Sequence, residues 1–391
     1  MTLDLKQQLQ KIQDNPYVPI LFFVAGFIFD IIFLDRIDGT LQLFQIISYT
    51  VILTILVRFT ILEKGKLWGP QGIWLKYWKY NEFVIHFLLG SLLNLYSIFY
   101  FKSASILASL IFFSAIIGLL LANEFLRVKR FQHLIIFILY YVCLVSFWMA
   151  YVPIALGFIG VVPFLLGLAA AGFTIWLFDL SLKKRTFHLV NLSPSSSSTI
   201  ASLNPAQNSA SPPRTERPAL NIRRFNFRAG GSVILFFLVS YFFQIIPPVP
   251  LSINFMGIYH DIKKESGKYQ LTHYQPKWRF WENGDQNFLA REGDKIVSYV
   301  EIFAPHNFKD EVRFTWYLKT KNGWVKQDSI PVTIVGGRDQ GFRGYTIKQN
   351  YQSGDYRIVV ETTDAREIGR IGVSVIKDLD ILPREPQVIL R

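Results

Sequence analysis

The feature that most constrains this chain is a series of long apolar runs between residues 17 and 249. A helix needs about 20 apolar residues to cross the hydrocarbon core of a membrane. Lipid offers the backbone no hydrogen-bond partner, so such runs are stable there only as helices. The sequence therefore predicts a polytopic α-helical membrane protein with about seven spans, at Tyr17–Leu34, Leu41–Leu62, Phe83–Phe101, Ala104–Ala122, Phe131–Tyr151, Val152–Leu180 and Gly230–Ile246.

The sixth run is unusually long and contains Gly157, Gly160 and Pro163. Small residues allow close helix packing, and the length allows a tilt or a kink at Pro163. A broken helix that lines a substrate site is the other interpretation. We favour close packing and leave both open at this point.

The positive charges in the connections indicate the orientation. If the N-terminus lies in the cytoplasm, only Arg36 and Lys102 among the lysines and arginines of the connections fall on the outer side. Loops rich in Lys and Arg stay inside. The chain is then expected to comprise a cytoplasmic tail (1–16), a six-helix bundle (17–183), a disordered basic cytoplasmic linker rich in Ser and Pro (184–229), a seventh helix (230–250) and an extracytoplasmic domain (251–391).

The composition excludes several classes of function. The net charge is +13, but the excess lies mainly in the membrane half, which indicates membrane topology and not nucleic-acid binding. The single cysteine, Cys143, lies in an apolar run, so neither an internal disulfide nor a cysteine metal site is expected. The histidines outside the membrane, His260, His273 and His306, lack the spacing of metal ligands. No catalytic residue, metal site or cofactor is predicted.

The last 140 residues or so alternate with a period of two. Val312, Phe314, Trp316 and Leu318 alternate with polar neighbours, a pattern typical of a strand with one buried face. Short strands separated by turn signals predict an immunoglobulin-like β-sandwich. Further strands of this kind are Ile330–Ile334, Tyr356–Val360 and Ile371–Val375. The turns between them are Asn322-Gly323, Gly336-Gly337, Ser353-Gly354-Asp355 and Arg366–Gly369. The sequence Gly354-Asp355-Tyr356 is typical of a tyrosine corner.

Three stretches together resemble the uncharacterised bacterial membrane family defined by the DUF2914 domain. They are Phe99–Ser105, Ala122–Phe125, and the run from Val312 through Trp316-Tyr317 and Gly336–Arg343 to Arg357. Family members commonly have Trp in place of Tyr356. They also commonly have a His-Arg-Trp-like sequence before Trp316, where this chain has Arg313-Phe314-Thr315. The resemblance implies a bacterial inner-membrane protein whose β-domain faces the periplasm, and it implies no activity.

Two functions from different classes remain. One is a membrane-anchored binding or assembly module whose β-domain meets an envelope protein or an anionic polymer. The other is a transporter or lipid-handling protein that uses the bundle, and an intramembrane enzyme has least support. Candidate binding residues are Arg338 and Arg343, which flank a glycine-rich turn and could grip anions, and Lys102 and Asp30 near the outer membrane interface. The oligomeric state stays open.

Overall fold

The computed structural model describes residues 39–64, 68–78, 81–103, 110–125, 132–192, 216–274, 278–279, 281–338, 341–379 and 383–391. The first predicted span, Tyr17–Leu34, lies outside these residues. The helices of the described part are α1 (Thr40–Lys64), α2 (Ile73–Tyr77), α3 (Asn81–Lys102), α4 (Leu110–Phe125), α5 (Gln132–Leu156), α6 (Val161–Leu192) and α7 (Glu216–Phe242).

A helical N-terminal region is confirmed, but seven spans are not. Four of the described helices are long and apolar enough to cross a membrane, and two further apolar helices are shorter. The four are Gln42–Glu63, Val84–Lys102, Ile135–Leu156 and Val161–Leu182, and the shorter two are Leu110–Leu119 and Phe227–Phe242.

Helix α5 lies at the centre of the bundle. Its residues 139–146 are buried without interruption, including Cys143. This burial comes from α3, α6 and α7, which all pack against α5.

The break between α5 and α6 differs from the prediction. Helix α5 continues through Pro153 to Leu156, and the connection is Gly157–Gly160. Gly157 and Gly160 have φ angles of 80° and 135°, which favour glycine and end the helix. Pro163 falls in the first turn of α6, where its missing N–H costs little. The expected long sixth helix is therefore two helices divided by a turn, with no kink at Pro163.

The predicted disordered linker, 184–229, is helical at both of its described ends. Helix α6 continues to Leu192 and α7 begins at Glu216. Lys, Arg and Leu are good helix formers, so charge alone does not stop a helix. Residues 193–215 lie outside the part described.

The C-terminal region is an all-β domain with two main sheets. One has the order β1-β5-β8 and the other β4-β10-β9-β6-β7, while β11-β3-β2 form a third, smaller sheet. The strands are β1 (Ser252–Tyr259), β2 (Asp261–Glu265), β3 (Lys268–His273), β4 (Asn287–Ala290), β5 (Ile296–Phe303), β6 (Lys309–Thr320), β7 (Gly323–Val335), β8 (Phe342–Lys348), β9 (Gly354–Thr362), β10 (Glu367–Lys377) and β11 (Gln387–Leu390).

The two main sheets enclose one core. The alternating residues of β6, β9 and β10 that the sequence places inward are all buried in it, with Trp316 fully covered. Strands β1, β5 and β8 correspond to A, B and E of an immunoglobulin domain, and β6, β7, β9 and β10 to C, C′, F and G. The tyrosine corner is also present, because the backbone N–H of Gln352 donates to the hydroxyl of Tyr356 at 3.0 Å.

Candidate functional site

The turn between α5 and α6 contacts the loop between β5 and β6. The backbone N–H of Lys309 donates to the carbonyl of Gly157 at 2.8 Å, and the N–H of Ile159 donates to the carboxylate of Asp310 at 2.8 Å. A Cβ atom on Gly157 would lie 2.7 Å from the carbonyl oxygen of Asn307, so only glycine allows this approach. The side chain of Ile159 is 5% exposed and packs within the core of the sandwich.

The end of α7 makes the second contact. The hydroxyl of Tyr241 donates to the carboxylate of Asp364 at 2.5 Å, and the guanidinium of Arg366 lies over the Tyr241 ring at 4.8 Å. Arg366 also pairs with Asp364 at 2.9 Å. On its other side, Tyr241 stacks on Phe164 of α6 at 3.8 Å. The loop between β9 and β10 is thereby fixed to α7 through Tyr241, whose ring is in turn held by α6.

The two contacts together form a junction between the helical region and the sandwich. Two carboxylates of this junction, Asp310 and Asp364, have pKa values that are shifted in opposite directions. Burial works to raise the pKa of Asp364, but the Arg366 guanidinium and hydrogen bonds from Thr362 and Tyr241 outweigh it and hold the pKa below the usual range. Burial raises the pKa of Asp310, and the backbone N–H groups of Ile159 and Glu311 offset only part of this effect.

The glycine-rich turn lies at the same end of the sandwich. The N–H of Gly336 donates to the carbonyl of Phe308 at 2.8 Å, and a Cβ atom on Gly336 would meet the carbonyl oxygen of Pro305 at 1.8 Å. The loops β5–β6, β7–β8 and β9–β10 correspond to the end that holds the antigen-binding loops in antibody variable domains. Here the first and third of these loops contact the helices.

The structure does not bring the two predicted arginines together on one ligand surface. Arg338 is exposed, with its guanidinium 5.9 Å from the ring centre of Phe342. Phe342 packs against the sandwich core, so the next residue, Arg343, points to the opposite face of β8. The Arg343 guanidinium donates to the carbonyl of Gly267, in the turn between β2 and β3, at 3.4 Å.

The other two predicted binding residues lie apart from this turn. Lys102 is the exposed last residue of α3. Asp30 lies outside the described residues. Within the bundle, Arg58 of α1 donates to the hydroxyl of Ser181 on α6 at 3.0 Å.

A buried pair of a histidine and an aspartate, His260 and Asp285, is present that no sequence pattern predicts. Nδ1 of His260 lies 2.7 Å from the carboxylate of Asp285, which is 4% exposed and also accepts from the N–H of Tyr274. Arg384 reaches the same cluster and pairs with Asp294 at 2.9 Å and Asp378 at 2.8 Å. No short spacing links these residues, and the cluster fastens the segment before β11 to the sandwich.

The interior of the bundle contains several hydroxyl groups. The hydroxyl of Tyr140 donates to Thr54 at 3.1 Å, and that of Tyr100 donates to Ser146 at 3.3 Å. These pairs link α5 to α1 and α3. They are among the polar groups of the described bundle on which a transport function would draw.

Comparisons with known proteins bear on the β-domain. None of the curated proteins matches this chain. An immunoglobulin-like protein from Pseudomonas aeruginosa aligns over 33% of this chain and 98% of its own at 11% identity, with a TM-score of 0.21. The alkylpurine DNA glycosylase AlkC from Pseudomonas fluorescens, bound to DNA, aligns over 84% of this chain and 98% of its own at 10% identity, with a TM-score of 0.17. Similarities this low decide nothing about fold or function.

Residues 309–375, from β6 into β10, match the model of the family described as "Protein of unknown function (DUF2914)", which confirms the resemblance in the sequence.

Proposed function

We propose that this protein is a membrane-anchored binding or assembly module of the bacterial cell envelope. The observation that carries the proposal is the junction, where Gly157, Ile159 and Tyr241 of the helical region hold loops of the sandwich. A domain fixed by specific contacts is presented in a defined orientation, unlike one that hangs on a flexible linker. The helices occupy the β5–β6 and β9–β10 loops, so the β7–β8 loop, the sides and the far end of the sandwich remain for a partner.

The proposed location is the inner membrane, with the N-terminus in the cytoplasm and the sandwich in the periplasm. The distribution of Lys and Arg supports this orientation. The contact between the α5–α6 turn and the sandwich supports an even number of membrane crossings between them, because both must lie on one side of the membrane. Alternation of the predicted spans requires that same arrangement.

The proposed partner is a component of the envelope, either a protein or an anionic polymer, in addition to the surrounding lipid. Arg338 is the residue that supports an anionic partner, since it is exposed beside the loops that face the helices. At this position a lipid phosphate and a polymer phosphate would offer the same charge.

A second candidate function is a transporter or lipid-handling protein, which the hydroxyl pairs Tyr140–Thr54 and Tyr100–Ser146 favour. In that case the sandwich would be an accessory, and nothing outside the membrane would need to bind its far end.

Photo-crosslinking in living cells tests the main proposal against the second. A crosslinking amino acid at Asn322, in the turn between β6 and β7 at the far end, should give adducts of discrete mass. The same amino acid at Phe44, an exposed position on α1, should give only lipid adducts. A cysteine that replaces Asn322 serves as the control, because its labelling by an impermeant maleimide shows that the far end is accessible. If this cysteine is labelled but no far-end position gives a crosslinked adduct, the binding-module proposal is overturned.

A further inference from the structure

A cleft of about 600 Å³ lies at the open edge of the sandwich, between β7 and β8. Each of these strands is the last of its sheet, and no strand covers the gap between them among the described residues. The cleft reaches Gln349 and Asn350, which follow β8 at the end away from the Gly336–Gly341 turn and the helices. It is therefore a concave part of the sandwich that the junction leaves open.

The floor of the cleft holds a buried polar atom without a partner. Trp316 lines the cleft and is 0% exposed, and its indole Nε1 has no hydrogen-bond partner in the described part of the chain. The hydroxyls of Ser298 and Thr346, which are paired across β5 and β8 and are not among the residues that line the cleft, are also buried and without a partner in the described part of the chain. Buried donors without acceptors cost free energy, and such groups call for an explanation.

The mouth of the cleft carries one charge of each sign. Asp328 lies opposite Trp316 across β6 and β7, on the same face. Lys348 is on the face of β8 that carries Thr346, and its ammonium group pairs with Asp328 and lies 5.7 Å from the indole ring centre. The pair is neutral overall. With the carboxamides of Gln327, Gln349 and Asn350, it offers donors and acceptors side by side.

The edge of β7 is protected against pairing with another strand. The register shifts at Gln327, which leaves this residue bulged, and Lys326, inward-pointing Asp328 and Pro331 all lie on the same edge. Bulges, lysines, inward charges and prolines are the features that stop strands from adding to an edge. An extended peptide is therefore a poor ligand for this cleft.

We propose that the cleft binds a neutral, hydroxyl-rich glycan of the cell envelope. Hydroxyl and acetamido groups both donate and accept, so they match the mixed polar lining. An acetamido carbonyl can accept from the buried indole N–H of Trp316 when the Lys348 side chain, whose ammonium lies over that ring, moves aside. Ile330 and Ile347 supply apolar contact for the C–H faces of a sugar ring. This inference rests on the proposed function as a binding module and adds a second ligand class to it, at a site apart from Arg338.

Titration calorimetry on the full-length protein in nanodiscs tests it, with chitotetraose and cellotetraose as the probes. We expect chitotetraose to bind, and Trp316→Phe, which keeps an aromatic ring but removes the N–H, to weaken binding at least fivefold. Lys348→Met and Asn350→Ala should weaken it as well, so the test survives if one variant folds poorly. Trp324→Phe and Lys319→Met, on exposed parts of β7 and β6, should leave binding unchanged.

The other outcomes are decisive too. If neither sugar binds and Trp316→Phe raises the melting temperature, the polar groups serve only to protect the edge and the inference is overturned. If extended peptides bind and lose binding in Trp316→Phe, the site stands but the glycan is wrong. If crosslinking from Asn322 captures an envelope partner that the cleft variants do not disturb, the binding module stands and the cleft inference alone fails.

Discussion

The hydroxyl of Tyr241 donates a 2.5 Å hydrogen bond to the carboxylate of Asp364, and so joins the last helix directly to the loop between β9 and β10. Tyr241→Phe should lower the stability of the sandwich in the full-length protein by about 1.5–3 kcal/mol, because a hydrogen bond to a charged group is lost. Thermal unfolding in nanodiscs, followed by near-ultraviolet circular dichroism, measures this. Tyr259→Phe is the control, since its buried hydroxyl has no partner among the described residues. Equal melting temperatures for the two variants would mean that the Tyr241 contact contributes nothing.

The two junction carboxylates should respond oppositely to acid. The folded-state pKa of Asp364 is lowered, so its stabilisation is present above the unfolded value of about 3.9 and is lost as the pH falls through the folded value. The folded-state pKa of Asp310 is raised, so its contribution is fully present below the unfolded value and is lost as the pH rises through the folded value. Asp364→Asn should make unfolding less sensitive to acid, and Asp310→Asn more sensitive. Melting temperatures between about pH 7 and pH 2 measure both, and parallel curves would contradict the assignment.

Trp316→Ala should destabilise the sandwich by about 3–5 kcal/mol, the usual cost of truncating a buried aromatic side chain. Trp316 is fully buried and its ring contacts Tyr356 edge to face. Trp324→Ala, on an exposed position of β7, is the matched control and should cost about 1 kcal/mol or less. Urea unfolding of the full-length protein in nanodiscs provides the values. A cost below about 1 kcal/mol for Trp316→Ala would place its ring outside the core.

The alternation of apolar and polar residues predicted the strands that have one solvent-exposed face. Val312, Phe314, Trp316 and Leu318 lie in the core as their spacing indicates. Strand β5 could not be predicted in this way because both of its faces are covered: Val300 faces the main core, and Tyr299 faces the small third sheet. A strand buried on both sides loses its alternation.

The junction could not be predicted from local patterns. Gly157 and Lys309 are 152 residues apart, and only the folded chain brings them to 2.8 Å. The same holds for His260 and Asp285, whose pairing depends on the path of β2 and β3 between them. The glycines of the sixth apolar run indicated close helix packing or a broken helix, and nothing in the sequence indicated that Gly157 would contact the sandwich.

Residues 251–391 expressed alone should be soluble and β-rich, with no difference between reducing and oxidising conditions, because that segment contains no cysteine. The fragment should be less stable than the sandwich in the whole protein by more than about 2 kcal/mol, since it loses the side chain of Ile159 from its core and also the hydrogen bond from Tyr241 to Asp364. Far-ultraviolet circular dichroism and urea titration measure both properties. The full-length variant Ile159→Ala should show only the share that the Ile159 side chain contributes, about 2 kcal/mol. A disordered spectrum for the fragment would refute an independently folding domain.

Cysteine labelling in a Cys143→Ser background should reveal the orientation of the chain. The single native cysteine is buried, so its replacement leaves a clean reference. With an impermeant maleimide on intact cells whose outer membrane has been made permeable, a cysteine at Asn322 should be labelled, because the sandwich is expected outside. A cysteine at Ser197, in the predicted cytoplasmic linker, should react only after the inner membrane is broken. Labelling at Ser197 in intact cells, together with protection at Asn322, would reverse the orientation and would place both the junction and the open cleft in the cytoplasm.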